Sequence, residues 1–358
     1  MATGAEAVCV VCGEPAHNKC SACKLDTSSR HYCGKACQVK DWLTHKKACK
    51  DIQNANLEKK LTRVANIVQQ GYYDFRKNTW DRRIVKVERL RNDDLVLHEA
   101  DRIGGIYAKY FLQFPQNLVP DKRTGNALLC INVCNEPPAW MYNIIDGLAK
   151  GLHVKIEEVS VNLKPPPHKV ILTYDDGKGD SNYPGYRHEI IRVTSTKTNK
   201  AWVMDISGAQ YGIYQALWSW QEYQSRFMKH VNQIYPFGTN RAFLKKLGEL
   251  PGSPSMTSGV VGKVADHLAN KVNNDWQATS NFSLSQLVAT DEGNFTKGKL
   301  ELLRFMDNVV RTFVHINEFR DEYKDMVAYE WKHPGLSQWR IKEVSVAFLA
   351  SVESSKTA

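Results

Sequence analysis

Seven cysteines and one histidine stand near the start of this chain, spaced Cys9-x2-Cys12-x7-Cys20-x2-Cys23-x9-Cys33-x3-Cys37-x7-His45-x3-Cys49. They form four pairs and offer eight N/S donors. Two tetrahedral Zn²⁺ sites need that number, with no position left for water. A C-x2-C pair brings both sulfurs to one ion across a tight turn. A C-x3-C or H-x3-C pair does so because residues i and i+4 share one helix face. The first two pairs are therefore expected on knuckle turns and the last two on helical turns. An odd number of thiols cannot all pair as disulfides within the cluster, which favours metal. So short a segment also needs help to fold, since chains below about 40–60 residues rarely bury enough apolar surface. Zinc supplies on the order of 10–16 kcal/mol per site at neutral pH. The spacing leaves open whether the two sites are sequential or interleaved.

The segment resembles a MYND-type zinc finger. The residues that carry the resemblance are Cys9, Cys12, Cys20, Cys23, Tyr32-Cys33, Cys37-Gln38, Asp41-Trp42, His45-Lys46 and Cys49. The resemblance implies two structural zinc ions with interleaved ligands. One would sit on Cys9, Cys12, Cys33 and Cys37, the other on Cys20, Cys23, His45 and Cys49. It also implies an interaction module for short, often proline-rich, partner peptides, with Gln38 and Trp42 as the peptide-binding positions. Gly34 departs from the serine that the family often has after the fifth cysteine. On one continuous helix, 38, 42, 45 and 49 would form a stripe that sets Trp42 beside the ligands. There it could be the module's small core, an exposed platform for proline, or both.

Composition sets bounds on the rest. The 358 residues are 42% apolar, enough for a small module and one large buried core. No apolar run approaches the ~20 residues of a membrane helix. The opening MATGAEAVCVVC has no basic stretch followed by an apolar one, so a reducing compartment, cytoplasmic or nuclear, is expected. The formal net charge is +10 with neutral thiols. Seven thiolates and two Zn²⁺ would lower it to +7. Much of the basic charge around the cluster therefore offsets the site itself, and nucleic acid is not expected as a direct ligand.

Domain boundaries are expected at 1–50 for the finger, 51–75 for a helical linker and 76–358 for an α+β domain. Residues 51–75 have helical periodicity. RRIVKVERL, DLVLHEA, VKIEEVSVNL, HKVILTYDD, HEIIRVTS and AWVMDIS read as strands, the last two as a hairpin through TKTNK. NALLCINVC reads as a buried strand. NEPPAWMYNIIDGLAKGL reads as a helix, capped by Asn135 with Pro137 in its first turn. From about 209 the pattern turns helical in YGIYQALWSWQEYQSRFMKHVNQI, GVVGKVADHLANKV and GKLELLRFMDNVVRTFVHINEFRDEYKDMV. GELPGSPSMTSG at 248–259 reads as a loop, a linker or a mobile flap. The fold class is thus a small zinc-bound finger plus a larger α+β domain, with a mixed or antiparallel sheet and C-terminal helices.

The body contains one order of residues with chemical potential. Cys134 precedes a predicted helix, His188 opens a strand and Asp205 lies on its hairpin partner, an order that resembles papain-like cysteine hydrolases. Cys130 is a second nucleophile candidate. Against this, both cysteines alternate along an apolar stretch, so one or both are expected in the core. A histidine at a strand start is expected at the surface or an edge. No family signature surrounds either thiol, and the nearest upstream glutamine, Gln116, is too far away for an oxyanion hole. Catalysis by the body is therefore not expected; were there any, it would be that of a cysteine hydrolase with the finger used for targeting. WVMDISGAQYG resembles a segment of uncharacterised MYND-finger proteins, which implies no activity. Lysine methyltransferases with a MYND finger inside a SET domain need a Gly-rich turn and an Asn-His pair. RIGGIY at 102 is a lone Gly pair, and no Asn-His pair occurs. KPPPHK at 164–169 is expected to be a loop between strands, with an internal peptide ligand for the finger as the sharper alternative. Trp218, Trp220 and Tyr223 are expected in a helix core. The leading function is an interaction adaptor or regulator acting through the finger.

Overall fold

A computed structural model describes residues 7–23, 30–101 and 109–354. The RIGGIY stretch lies outside them. The chain begins with a small two-stranded antiparallel ribbon, β1 (Asn18–Lys19) and β2 (His31–Tyr32). It then enters α1 (Lys35–Asn78), a single helix of 44 residues. At 1.5 Å per residue this helix is about 66 Å long. Its first four turns, Lys35 to Cys49, belong to the finger. From Leu61 onward its buried residues include Leu61, Val64, Ala65, Val68, Tyr72 and Phe75, the spacing of a face turned to a core, with Arg63, Ile67, Gly71, Tyr73 and Arg76 buried as well. Residues 51–75 are thus the middle of a helix shared by finger and body.

The body has two sheets. One is mixed, with order β3 (Ile84–Arg89), β4 (Leu95–Glu99), β6 (Val170–Tyr174), β7 (Gly179–Ser181); only β4 and β6 run parallel. The other is antiparallel, with order β10 (Leu217–Ser219), β9 (Ala201–Met204), β8 (His188–Ser195), β5 (Val154–Leu163), β11 (Met228–Pro236). The second sheet separates two cores. Alternate residues such as Ile191, Val193, Trp202 and Met204 face the main core. Val159, Val161, Ile190, Val203 and Trp218 face a smaller one. This is the two-residue period of a strand buried on both faces.

The helices are α2 (Lys122–Leu129), α3 (Glu136–Trp140), α4 (Tyr142–Ala149), α5 (Trp220–Arg226), α6 (Thr239–Gly248), α7 (Val261–Lys271), α8 (Gln277–Thr279), α9 (Leu284–Leu287), α10 (Glu292–Asn317), α11 (Arg320–Lys332) and α12 (Leu336–Ser354). Most follow the sheets, as an α+β architecture requires. α1 crosses α10 at Gly71, where an added Cβ would lie 2.7 Å from Met306 Cε. Among the described residues no helix is long and apolar enough to cross a membrane.

Three expectations need correction. NALLCINVC is not a strand: its first residues end α2, which starts where the Asp121 side chain accepts from the Thr124 N–H, and the rest is a turn. YGIYQALWSWQEYQSRFMKHVNQI is not one helix. It is a 3-10 turn ending at Tyr211, then β10, the short α5 and β11. GELPGSPSMTSG is only partly a loop: after a turn at 249–252 the chain becomes helical at Ser253, and Ser255–Val260 forms a π-helical turn against the end of α6. There an added Cβ on Gly248 would come within 2.7 Å of the Gly259 backbone.

Candidate metal centre

The four pairs converge on two points. Cys9, Cys12, Cys33 and Cys37 form one set, and Cys20, Cys23, His45 and Cys49 the other. Within each set all ligand atoms lie within 4.8 Å of one another. In the first set Cys12–Cys33, Cys33–Cys37 and Cys37–Cys12 sulfur distances are 3.4, 3.6 and 3.8 Å. In the second, Cys20 and Cys49 sulfurs lie 3.7 Å apart and Cys23 Sγ is 3.4 Å from His45 Nε2. A tetrahedral ion with Zn–S near 2.3 Å and Zn–N near 2.0–2.1 Å requires S···S edges of about 3.8 Å and S···N edges of about 3.5 Å. The observed edges fit that figure. They are far too long for the roughly 2.05 Å of a disulfide bond. The pairing is crossed, first with third and second with fourth, which ties both ends of the finger into one unit.

The electrostatics also call for a cation. Burial, then the neighbouring Cys20 and Cys49, push the Cys23 thiol up to about 12. Cys12 and Cys37 raise Cys33 to about 12. Crowded thiols resist losing their protons together, and a dication removes that obstacle. Burial, with Arg30 nearby, holds His45 below the usual imidazole range. Its Nδ1 has no hydrogen-bond partner among the described residues, so the neutral ring offers Nε2 to the metal. The sets fit two structural zinc ions, one held by four thiolates and the other by three thiolates and an imidazole. Neither has an open position for catalysis.

The inward stripe of α1 is 37, 41, 45 and 49; of the expected 38, 42, 45, 49 stripe, 45 and 49 face inward while 38 and 42 face out. Asp41 is buried between the two ligand pairs. It accepts from Tyr32 Oη at 2.8 Å and Thr44 Oγ1 at 2.7 Å and pairs with Arg30, so it clamps β2 to the helix. The four-residue interval through Cys37, His45 and Cys49 was the sequence signal for it. Tyr32, fully buried, is the aromatic core of the finger. Trp42 stands outside, 39% exposed, with its ring edge-on to His45 at 6.3 Å. Gln38 is half-buried on the same outer side. Beside them Val39 and Leu43 are 64% and 90% exposed, and sequence reasoning had not singled them out. Gly34 is the N-cap of α1 and supplies no side-chain cap.

The body holds a second cluster. His188 and Asp205 are fully buried, and His188 Nε2 donates to Asp205 Oδ1 at 2.9 Å. Tyr223 Oη donates to Asp205 Oδ2 at 2.8 Å. The Tyr211 ring meets the imidazole edge-to-face, centroids 4.9 Å apart. Burial alone would lower His188, but Asp205 and Cys134 more than offset it, and it is pushed up to about 10. The expected surface position for His188 is therefore wrong: β8 lies between β5 and β9, so its first residue is interior. Of the two body cysteines one is core, as the expectation allowed, and it is not Cys134: that residue is half-buried, and its thiol donates to the Arg187 carbonyl at 3.5 Å. Cys130 is in the core, its thiol pushed well up by burial.

WVMDISGAQYG shapes this cluster. An added Cβ on Gly208 would lie deep inside the contact distance of Asp205 Oδ2 and 2.8 Å from the Ile213 carbonyl. KPPPHK docks on the same turn: His168 Nε2 contacts the Ala209 carbonyl at 3.1 Å, and Pro167 abuts Gly212. It is a body loop tied to the body, as the simpler expectation had it. Trp218 and Tyr223 lie in the smaller core with Trp220 packed against it, though Trp218 sits on β10 and not on a helix.

Fold and site together define a cross-braced two-zinc module whose last ligands ride on a helix that continues into an α+β body. The family model described as MYND finger matches residues 9–49, and that segment is a MYND finger, a kind of module that commonly mediates protein–protein interaction. Neither a curated protein nor a solved structure matches the chain.

Proposed function

We propose that this protein is an interaction adaptor or regulator of the cytoplasm or nucleus, whose finger docks a short, proline-rich peptide of a partner. The observation that carries this reading is the outer face of α1. Zinc ligands take the inner face, yet Val39, Trp42 and Leu43 stand exposed side by side at i, i+3 and i+4. Contiguous exposed apolar side chains next to a polar group mark interaction sites. An indole edge with Gln38 beside it suits a proline ring and its preceding carbonyl. Zinc fixes the backbone beneath this face, so the surface is organised before any ligand arrives.

The test is selection of peptides from a displayed library on zinc-loaded full-length protein, followed by fluorescence-polarisation titration. Proline-containing sequences should be enriched. Trp42→Ala and Leu43→Ala should each weaken binding at least tenfold, with zinc content unchanged at two equivalents. Enrichment of no sequence, or binding indifferent to both substitutions, rejects the reading.

A further inference from the structure

The Cys134–His188–Asp205 cluster goes beyond an adaptor role and does not depend on it. Three features set it apart from ordinary core packing. First, His188 is wholly buried, and its Nε2 is committed to Asp205. Its Nδ1 has no hydrogen-bond partner among the described residues. A buried donor or acceptor left unmet is costly because it has given up water for nothing, so such an atom calls for a reason. Second, the Cys134 thiol is one of the groups that act on this imidazole. It is anchored on the carbonyl of Arg187, the residue just before His188. Third, the thiol is reachable: Cys134 is only half-buried, and Pro184, Gly185, Tyr186 and Arg187 beside it are exposed.

Asp205 is itself fixed in place. A buried carboxylate needs a donor at each oxygen, and both are met. Here Tyr223 holds the other oxygen, and Gly208 gives up its side chain to let the carboxylate fit. The imidazole is thereby fixed in one orientation, with one nitrogen on Asp205 and the other left for the sulfur. A nucleophile beside a base, with the base oriented by a third group, is the arrangement that activates a thiol. Such contacts are often loose without substrate and tighten on binding.

We propose that Cys134, His188 and Asp205 form a nucleophilic thiol site that cleaves amide or ester bonds carried on exposed polypeptide chains. The Cys134 thiol loses its proton to solvent, and its sulfur, its charge balanced by the protonated His188 ring, attacks the carbonyl carbon. The S–C bond forms, and the carbonyl π pair moves to oxygen. When that pair returns, the C–N or C–O bond breaks, and the amine or alcohol leaves with the proton from His188 Nδ1. Water then adds to the thioester, giving its proton to the now neutral His188. The S–C bond breaks, the carboxylic acid departs, and the sulfur beside the protonated ring is restored. No oxidant, reductant or metal is consumed. Asp205 is a positioning residue, since among the described residues its carboxylate hydrogen-bonds to His188 and Tyr223. The class of substrate follows from the setting. Cys134 opens beside the exposed 184–187 loop, with the Tyr186 ring held by its hydroxyl on Asp180 at 2.7 Å. That shelf suits an extended chain.

The test uses zinc-loaded full-length protein. Iodoacetamide is applied at neutral pH, and the modification of each cysteine is followed by peptide mass spectrometry. 4-Nitrophenyl acetate is used in parallel as an acyl donor. Cys134 should be alkylated at least about tenfold faster than glutathione, and nitrophenol should appear in a burst of one equivalent. Cys134→Ser, at a half-buried position that tolerates the change, should abolish the burst and leave zinc content intact. Asp205→Asn should slow alkylation of Cys134 at least about tenfold and shift the His188 ring ¹⁵N resonances, a signature that loss of stability alone would not produce. Alkylation of Cys134 no faster than that of glutathione, or a burst that survives Cys134→Ser, overturns the proposal. If Asp205→Asn does not fold, the Cys134→Ser burst and the alkylation rate of the unsubstituted protein still decide it.

Discussion

Gly208→Ala probes the body with a single methyl group. The new Cβ would overlap Asp205 Oδ2 and stand 2.8 Å from the Ile213 carbonyl oxygen. Neither neighbour can yield easily. The carboxylate is held at one oxygen by His188 at 2.9 Å and at the other by Tyr223 at 2.8 Å. The peptide of Ile213 is tied back through its own N–H to the Gly208 carbonyl at 3.0 Å. Overpacking of this kind costs about 1–3 kcal/mol. If the carboxylate swings away instead, a charged hydrogen bond worth about 1.5–3 kcal/mol is lost. Either route alone costs about 1–3 kcal/mol, and both together about 2.5–6 kcal/mol. At about 2 °C per kcal/mol for a large domain, the Tm falls by roughly 2–12 °C. Gly151→Ala is the internal control. Gly151 has φ +80° with nothing within 4 Å of an added Cβ, so only backbone strain of about 1–2 kcal/mol applies. Thermal unfolding of both proteins, zinc-loaded and followed by tryptophan fluorescence, gives the comparison. A Gly208→Ala protein that melts at or above the Gly151→Ala protein would refute the packing argument.

Two further outcomes are expected. Natively purified protein should carry two equivalents of zinc by elemental analysis, and chelation should reduce its helical circular dichroism by melting the first turns of α1 while the thermal transition of the body persists. His188, about 6.5 when unfolded and raised to about 10 in the fold, contributes stability in full below pH 6.5, and that contribution fades as pH climbs through 10. Urea titrations at pH 6 and pH 10 should therefore converge for the unsubstituted and Asp205→Asn proteins at the higher pH. The groups facing the ring are Asp205, Cys134 and Tyr211, with Tyr223 behind the carboxylate and Arg187 and Glu189 alongside in the chain.

Metal coordination left its mark in the sequence because it is local: each ligand pair sits three or four residues apart, and the geometry of a turn or a helix fixes that spacing. Which pairs share an ion is a long-range fact, and only the family resemblance suggested it. The strands β5, β6, β8 and β9 were legible because their alternation or apolar runs end at turn residues. NALLCINVC shows the limit. A short apolar run does not distinguish a strand from a buried helix, and the deciding feature, the Asp121 cap, lies five residues upstream. The stretch from 211 to 234 failed for another reason. Met228–Pro236 becomes a strand because β5, 65 residues earlier at its nearest pairing, offers an open edge. Local spacing carries no trace of that partner. His188 was misjudged by the same gap: its depth comes from the order of strands in the sheet, not from its neighbours in the chain.

The unbroken run of α1 from Lys35 to Asn78 has a mechanical meaning. A flexible tether would let captured cargo wander through a cloud of positions; a rod lets it hang at one bearing and one distance. Whatever the finger grips is carried as on a crane jib whose counterweight is the body's own interior. A proline introduced midway along the rod would leave both ends folded yet scramble their aim.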